Sequence, residues 1–121
     1  MLDKKLLEKR GIVGKYADLA IALEAAQREA IALYGSSEDG GTCNFDSPKL
    51  YLPRWNGEKI KAAAAAAGCG AWKFDGWGRP AWIVTPHGMG GQGNRRTRIA
   101  EHMQKRLSAA GFDAWMFYQM D

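Results

Sequence analysis

Apolar residues recur at helical spacing through Ile12, Tyr16, Leu19, Ala20, Leu23, Ala30, Ile31 and Tyr34, and predict an amphipathic helix over 15–34 that stops at Gly35. Gly11 and Gly14 set it apart from a shorter helix over 2–10. The polar, glycine-rich stretch from Ser36 to Gly41 reads as an exposed loop. Residues 42–45 and 49–52 read as extended pieces broken by Asp46-Ser47-Pro48. Pro48 and Pro53 predict that this strand is short or lies at an edge, because proline has no amide to give a ladder.

Asn56 is placed to cap a helix that runs to Ala67, and Gly68 supplies its left-handed stop. The six consecutive alanines of that helix leave little side chain, so it can approach a neighbour closely. Residues 70–75 and 80–85 are apolar runs rich in aromatic and β-branched residues, joined by Gly76-Trp77-Gly78-Arg79-Pro80, and predict a hairpin with a loose loop. Trp72, Phe74 and Trp82 are expected in the core. A helix over 95–110 follows, with Ile99, Ala100, Met103, Leu107 and Ala110 as its buried stripe and Arg95, Arg98, His102, Lys105 and Arg106 opposite. The run from Phe112 to Tyr118 is apolar on both faces and predicts an interior strand, covered on each side.

The resulting order is strand, helix, strand, strand, helix, strand, preceded by a helical extension. It predicts an α+β fold of the ferredoxin-like βαββαβ type, with residues 1–35 as an extension packed on a 36–121 domain. In that architecture the first and third strands are central and two helices cover one sheet face. The extension is then the expected lid over the other face, unless a ligand or a second copy covers it; a homodimer is compatible with the pattern.

Charge singles out one segment. Arg95, Arg96, Arg98, Lys105 and Arg106 against Glu101 carry the whole net charge of +4, and the remaining twelve cations and twelve carboxylates cancel. A concentrated basic field speeds the capture of polyanions. Just before it stands Gly88-Met89-Gly90-Gly91-Gln92-Gly93-Asn94, a backbone with little to cover its amides. Arginines at the positive pole of a helix each cost about 0.3–1 kcal/mol, and an oxyanion held by the loop amides and guanidinium forks would offset that cost. His87, beside the loop, is placed to donate to the same phosphate, and His102 lies further along the basic helix. Spacing Gly88-x-Gly90-x-x-Gly93 meets the letter of the dinucleotide fingerprint, yet too few strands follow and Asp113 precedes the last strand instead of ending it. Asn94-Arg95 likewise replaces the Lys-Ser or Lys-Thr of a P-loop.

Aromatic residues give the second signal. Trp77, flanked by glycines between Lys73 and Arg79, is suited to stack on a base or enter a partner's pocket. A βαββαβ sheet with exposed aromatics resembles the RNA-recognition module in outline, but Arg79-Pro80-Ala81-Trp82-Ile83-Val84 lacks the glycine and paired aromatics of its signature, so no residue roles carry over.

These features point to a non-catalytic protein that holds nucleic acid or a phosphorylated nucleotide, with no cofactor and no metal. Two other classes stay open: a small phage or mobile-element protein that inhibits a nucleoprotein complex by protein–protein contact, and a small hydrolase or transferase using His87, with Cys43 and Asp46 as conceivable partners. Cys43 and Cys69 form no metal-binding or disulfide pattern. No apolar run approaches the ~20 residues of a membrane span, so a cytoplasmic protein without membrane contact is expected.

Overall fold

The computed structural model describes residues 2–36, 46–75, 79–87 and 93–118. Its elements run α1 (Lys4–Lys9), α2 (Lys15–Tyr34), β1 (Ser47–Leu50), α3 (Gly57–Ala66), β2 (Cys69–Phe74), β3 (Ala81–Pro86), α4 (Asn94–Ala109) and β4 (Ala114–Phe117). The fold is α+β, with four helices and one four-stranded antiparallel sheet of order β2-β3-β1-β4 among the described residues. β1 and β3 are therefore central and β2 and β4 are the edges.

Local chemistry sets the helix ends. Asp3 caps α1 by accepting from the Leu6 amide at 2.9 Å, and Asn56 caps α3 by accepting from the Lys59 amide at 3.0 Å. Gly68 ends the α3 turn at φ +79°, a conformation open to glycine and strained for other residues. Its amide returns to Ala65, and its carbonyl accepts from His87, tying the start of β2 to the end of β3.

Strand register fixes two unlike sheet faces. Leu50 stands opposite Trp82 on one side and Ala114 on the other, and Ala71 opposite Val84; this face carries the helices. Lys49 stands opposite Ile83 and Trp115, and Ile83 opposite Trp72; this is the other face. α3 packs on β2, and α4 on β1 and β4. α2 lies against α3 and α4, so the helical extension thickens the layer already on that face. Ala17, Ala20, Ala26 and Ala30 of α2 and Ala63, Ala64 and Ala67 of the alanine run are all buried, and their small side chains allow the close approach. Leu7, Leu19, Leu23, Leu50, Ile60, Val84, Met103 and Leu107 share one core with them.

Four expectations are thereby corrected. The N-terminal helix is no lid over the second face, because its alanines fit the α3–α4 groove. β4 is an edge strand, with Trp115 at 56% exposure. Trp72 leaves the core at 46% exposure, since β2 alternation turns it and Phe74 away from the helices while Trp82 on β3 is buried among them. β1 also begins at Ser47, inside the stretch that reads as a break; its pairing with β3 starts only at Lys49, after the proline.

Substituting Leu23→Ala tests whether α2 belongs to the common core. A loss of about 2–5 kcal/mol in urea denaturation is expected, whereas Trp115→Ala on the uncovered face shifts stability by no more than about 1 kcal/mol. Equal, small effects at the two positions would contradict the packing.

Candidate functional site

At the start of α4 the basic segment divides into buried and exposed members. Arg96 is buried, and its Nε donates to the Asp46 carbonyl at 3.0 Å while Nη2 donates to Ser47 Oγ at 3.0 Å and Thr85 Oγ1 at 3.3 Å. Burial pulls the guanidinium below its ordinary value, and the Asp46 charge pushes back. Thr97 Oγ1 donates to Asp46 Oδ2 at 2.7 Å, so a buried carboxylate of the chain itself stands against the first turn of α4. That is the place and the charge that the arginine-rich helix start asks of an oxyanion. The sequence does carry a signal for this arrangement: Arg96 lies on the same stripe as Ala100, Met103 and Leu107, not with Arg95 and Arg98.

Other predicted residues spread along α4 and away from one another. Gly93 precedes the helix at φ +93° and Asn94 opens it, exposed to solvent. Arg95 reaches the Gly35 carbonyl at 3.4 Å. Glu29 of α2 takes His102 on one oxygen and Arg106 on the other, both at 3.1 Å, making a seam between α2 and α4. Arg98 and Lys105 remain exposed. His87 follows β3, with its ring against Gly70, where a Cβ would lie 3.3 Å from Nε2. Trp77, Gly88, Gly90, Gly91 and Cys43 lie outside the described residues. Cys69 is buried, with Sγ 3.4 Å from Gln27 Oε1, and burial pushes its thiol up to about 12. Among the described residues no cluster of three potential metal ligands occurs, and no helix is long and apolar enough to cross a membrane.

The sheet face that no described helix covers gathers what the sequence disperses. One cross-strand row reads Trp72, Ile83, Lys49, Trp115 from edge to edge, about 14 Å at ordinary strand spacing. Phe74 and Phe117 sit on opposite edge strands, yet their rings meet edge-to-face with centroids 4.9 Å apart. That contact spans the two central strands, and Ile83 on this face is only 1% exposed. Beside this row the Arg79 guanidinium lies 3.8 Å from the Tyr51 ring centroid, and Lys49 Nζ lies 5.5 Å from it. Asp113 orients two members at once, accepting from Arg79 Nη2 at 3.1 Å and from Trp115 Nε1 at 2.7 Å. Tyr118, 60% exposed just after β4, turns instead to α4 and donates to Glu101 at 2.9 Å, a hydrogen bond that raises its phenol above the ordinary value. Chemically, the face offers ring surfaces for stacking and fixed cations beside them.

Removing the buried guanidinium should leave the Asp46 carbonyl, Ser47 and Thr85 without their donor: Arg96→Ala is expected to cost about 2–4 kcal/mol in chemical denaturation, against under about 0.5 kcal/mol for Arg98→Ala. Similar small losses would mean that Arg96 is not structural. The Cys69 thiol gives a pH test. Its folded value stands above the unfolded one, so its contribution to stability is intact below pH 9.0 and declines as pH rises toward about 12. Stability measured in urea should therefore fall by about 1 kcal/mol from this thiol alone between neutrality and pH 10. Cys69→Val should remove that part of the fall, and an unchanged alkaline profile in the variant would contradict it.

Comparison with models of known families, with curated proteins and with solved structures finds no match for this chain.

Proposed function

We propose that the chain is a non-catalytic binding protein for a phosphate-bearing ligand, with single-stranded nucleic acid laid on the uncovered sheet face. The strand order β2-β3-β1-β4, with a helix in each crossover, is read as the ferredoxin-like or split βαβ arrangement, extended by α1 and α2. One observation carries the functional reading. Trp72 and Trp115, half-exposed, end a single row that holds Lys49, with Arg79 fixed over Tyr51 alongside. Exposed tryptophans are costly to leave in water, and alternating ring faces and cations suit bases and phosphates together.

The net charge of +4 supports the same reading through long-range attraction, to which the exposed Arg98 and Lys105 contribute. Gly88–Arg98 enters this proposal as a secondary phosphate contact, because Asp46 already stands at its helical end, with its carbonyl on Arg96 and its carboxylate on Thr97. A second reading draws on the same face: the Phe74–Phe117 bridge and the two tryptophans also suit a protein partner, as in an inhibitor of a nucleoprotein complex, or a second copy of the chain.

Short oligouridine and oligothymidine, titrated while following tryptophan fluorescence, separate these readings. Nucleic-acid binding predicts quenching whose affinity falls by roughly 0.7 log units per tenfold salt for each phosphate neutralised. Trp115→Ala and Lys49→Glu should each weaken it at least about fivefold. Absence of binding at low salt, joined to dimerisation in sedimentation or a salt-resistant protein partner, would replace the first reading with the second.

A further inference from the structure

Where β1 ends and α3 begins, the sheet opens into a hollow of about 750 Å3, within the range of small-ligand sites. It lies at the opposite end of the strands from the start of α4, since β1 leaves and β3 enters there. We infer that this hollow is a nucleotide subsite, which takes one base against its aromatic walls and the attached phosphate on its basic rim. This inference rests on the reading of the neighbouring sheet face as a nucleic-acid surface, with which it shares Trp72.

The walls are Tyr51, Trp55, Trp72 and Trp82. Trp55 is held in place on both flanks: its ring meets Tyr16 edge-to-face at 5.1 Å and Phe112 at 6.4 Å. Tyr16 in turn accepts from the Asn56 amide at 2.8 Å, so the wall is tied to the first turn of α3. Gly57 has no side chain where a Cβ would come within 3.2 Å of the Trp82 ring, which lets α3 start flush against that ring. Such a site keeps its shape before a ligand arrives, which lowers the cost of binding.

The rim carries Arg54, Lys61, Lys73 and Arg79, and no carboxylate is among the described lining residues. Glu58, Asp75 and Asp113 stand outside it, pairing with Lys61 at 3.7 Å, Lys73 at 3.8 Å and Arg79 at 3.1 Å. All three pairs are exposed, and exposed pairs of this kind yield readily to a stronger anion. Arg54 has no carboxylate partner among the described residues. It occupies the third place of the turn Leu52-Pro53-Arg54-Trp55, closed by the Trp55 amide on the Leu52 carbonyl at 3.3 Å, and it does so at φ +67°. Glycine is the usual residue at a positive φ after a proline in such a turn. An arginine kept there accepts backbone strain, and the residue lines the hollow.

That strain makes the inference separable from a merely structural role. Adenosine monophosphate and short oligouridine are titrated by calorimetry against the full chain and against Arg54→Gly, Lys61→Gln and Trp115→Ala. Arg54→Gly should raise the urea midpoint by relieving the turn while weakening binding about five- to tenfold, and Lys61→Gln should weaken binding with stability unchanged. Loss with both probes identifies a site for free nucleotide; loss with oligouridine alone identifies a site for one unit of a strand. If oligouridine binds and depends on Trp115 but is indifferent to Arg54 and Lys61, the hollow is not a subsite and the sheet-face reading stands. If adenosine monophosphate binds through Arg54 while oligouridine does not bind, the hollow stands and the sheet-face reading falls. Polyphosphate binding as well as oligouridine, or no binding by either nucleotide probe, overturns the subsite.

Discussion

A guanidinium taken out of water must be given acceptors, and in this chain those acceptors decide how α4 docks. Arg96 spans from α4 to the Asp46 carbonyl, Ser47 at the start of β1 and Thr85 near the end of β3. One side chain thus fastens the last helix to both central strands. Removing it would leave these buried acceptors without their donor, a large penalty for a single substitution. The same network answers the question raised by a helix that begins with arginines. Its positive pole faces the buried Asp46, with Thr97 donating to that carboxylate.

With α4 pinned in this way, all the helical mass gathers on one side of the sheet. α2 is long and its buried positions are largely alanine, so it settles against α3 and α4 instead of crossing to the other face. The second face must then satisfy its own apolar residues. It does so partly through the contact of Phe74 with Phe117, and it leaves Trp72 and Trp115 half in water. Among the described residues the main core thus lies in the helical layer, and an aromatic, cation-flanked surface lies on the other side of the sheet.

Much of the local structure is written in the chain plainly enough to read. The periodicity from Ile12 to Tyr34 marks α2 at its observed bounds, and Asn56 and Gly68 bracket α3 through capping chemistry that needs no tertiary context. Failures come where distant residues decide. Asp46 and Ser47 look like loop because they are polar, and only Arg96, some fifty positions on, makes their burial possible. Trp115 and Met116 look interior because both are apolar, and only the strand order places them at an edge. Arg54, Lys61, Lys73 and Arg79 have no common spacing, so the hollow they line has no sequence signature. The position of Arg96 on the apolar stripe of α4 was legible, and it outweighs the resemblance to its exposed neighbours.

The central claim is that Arg96 serves the fold, and that the proposed ligand site lies on the sheet face beyond it. The most direct measurement is a nuclear magnetic resonance titration of isotope-labelled protein with short oligouridine, following indole and guanidinium N–H signals together. The account predicts that the Trp72 and Trp115 indole signals move while the Arg96 Nε–H stays in place and protected from exchange. Movement confined to Arg95, Arg96 and Arg98, with both indoles unchanged, would contradict it.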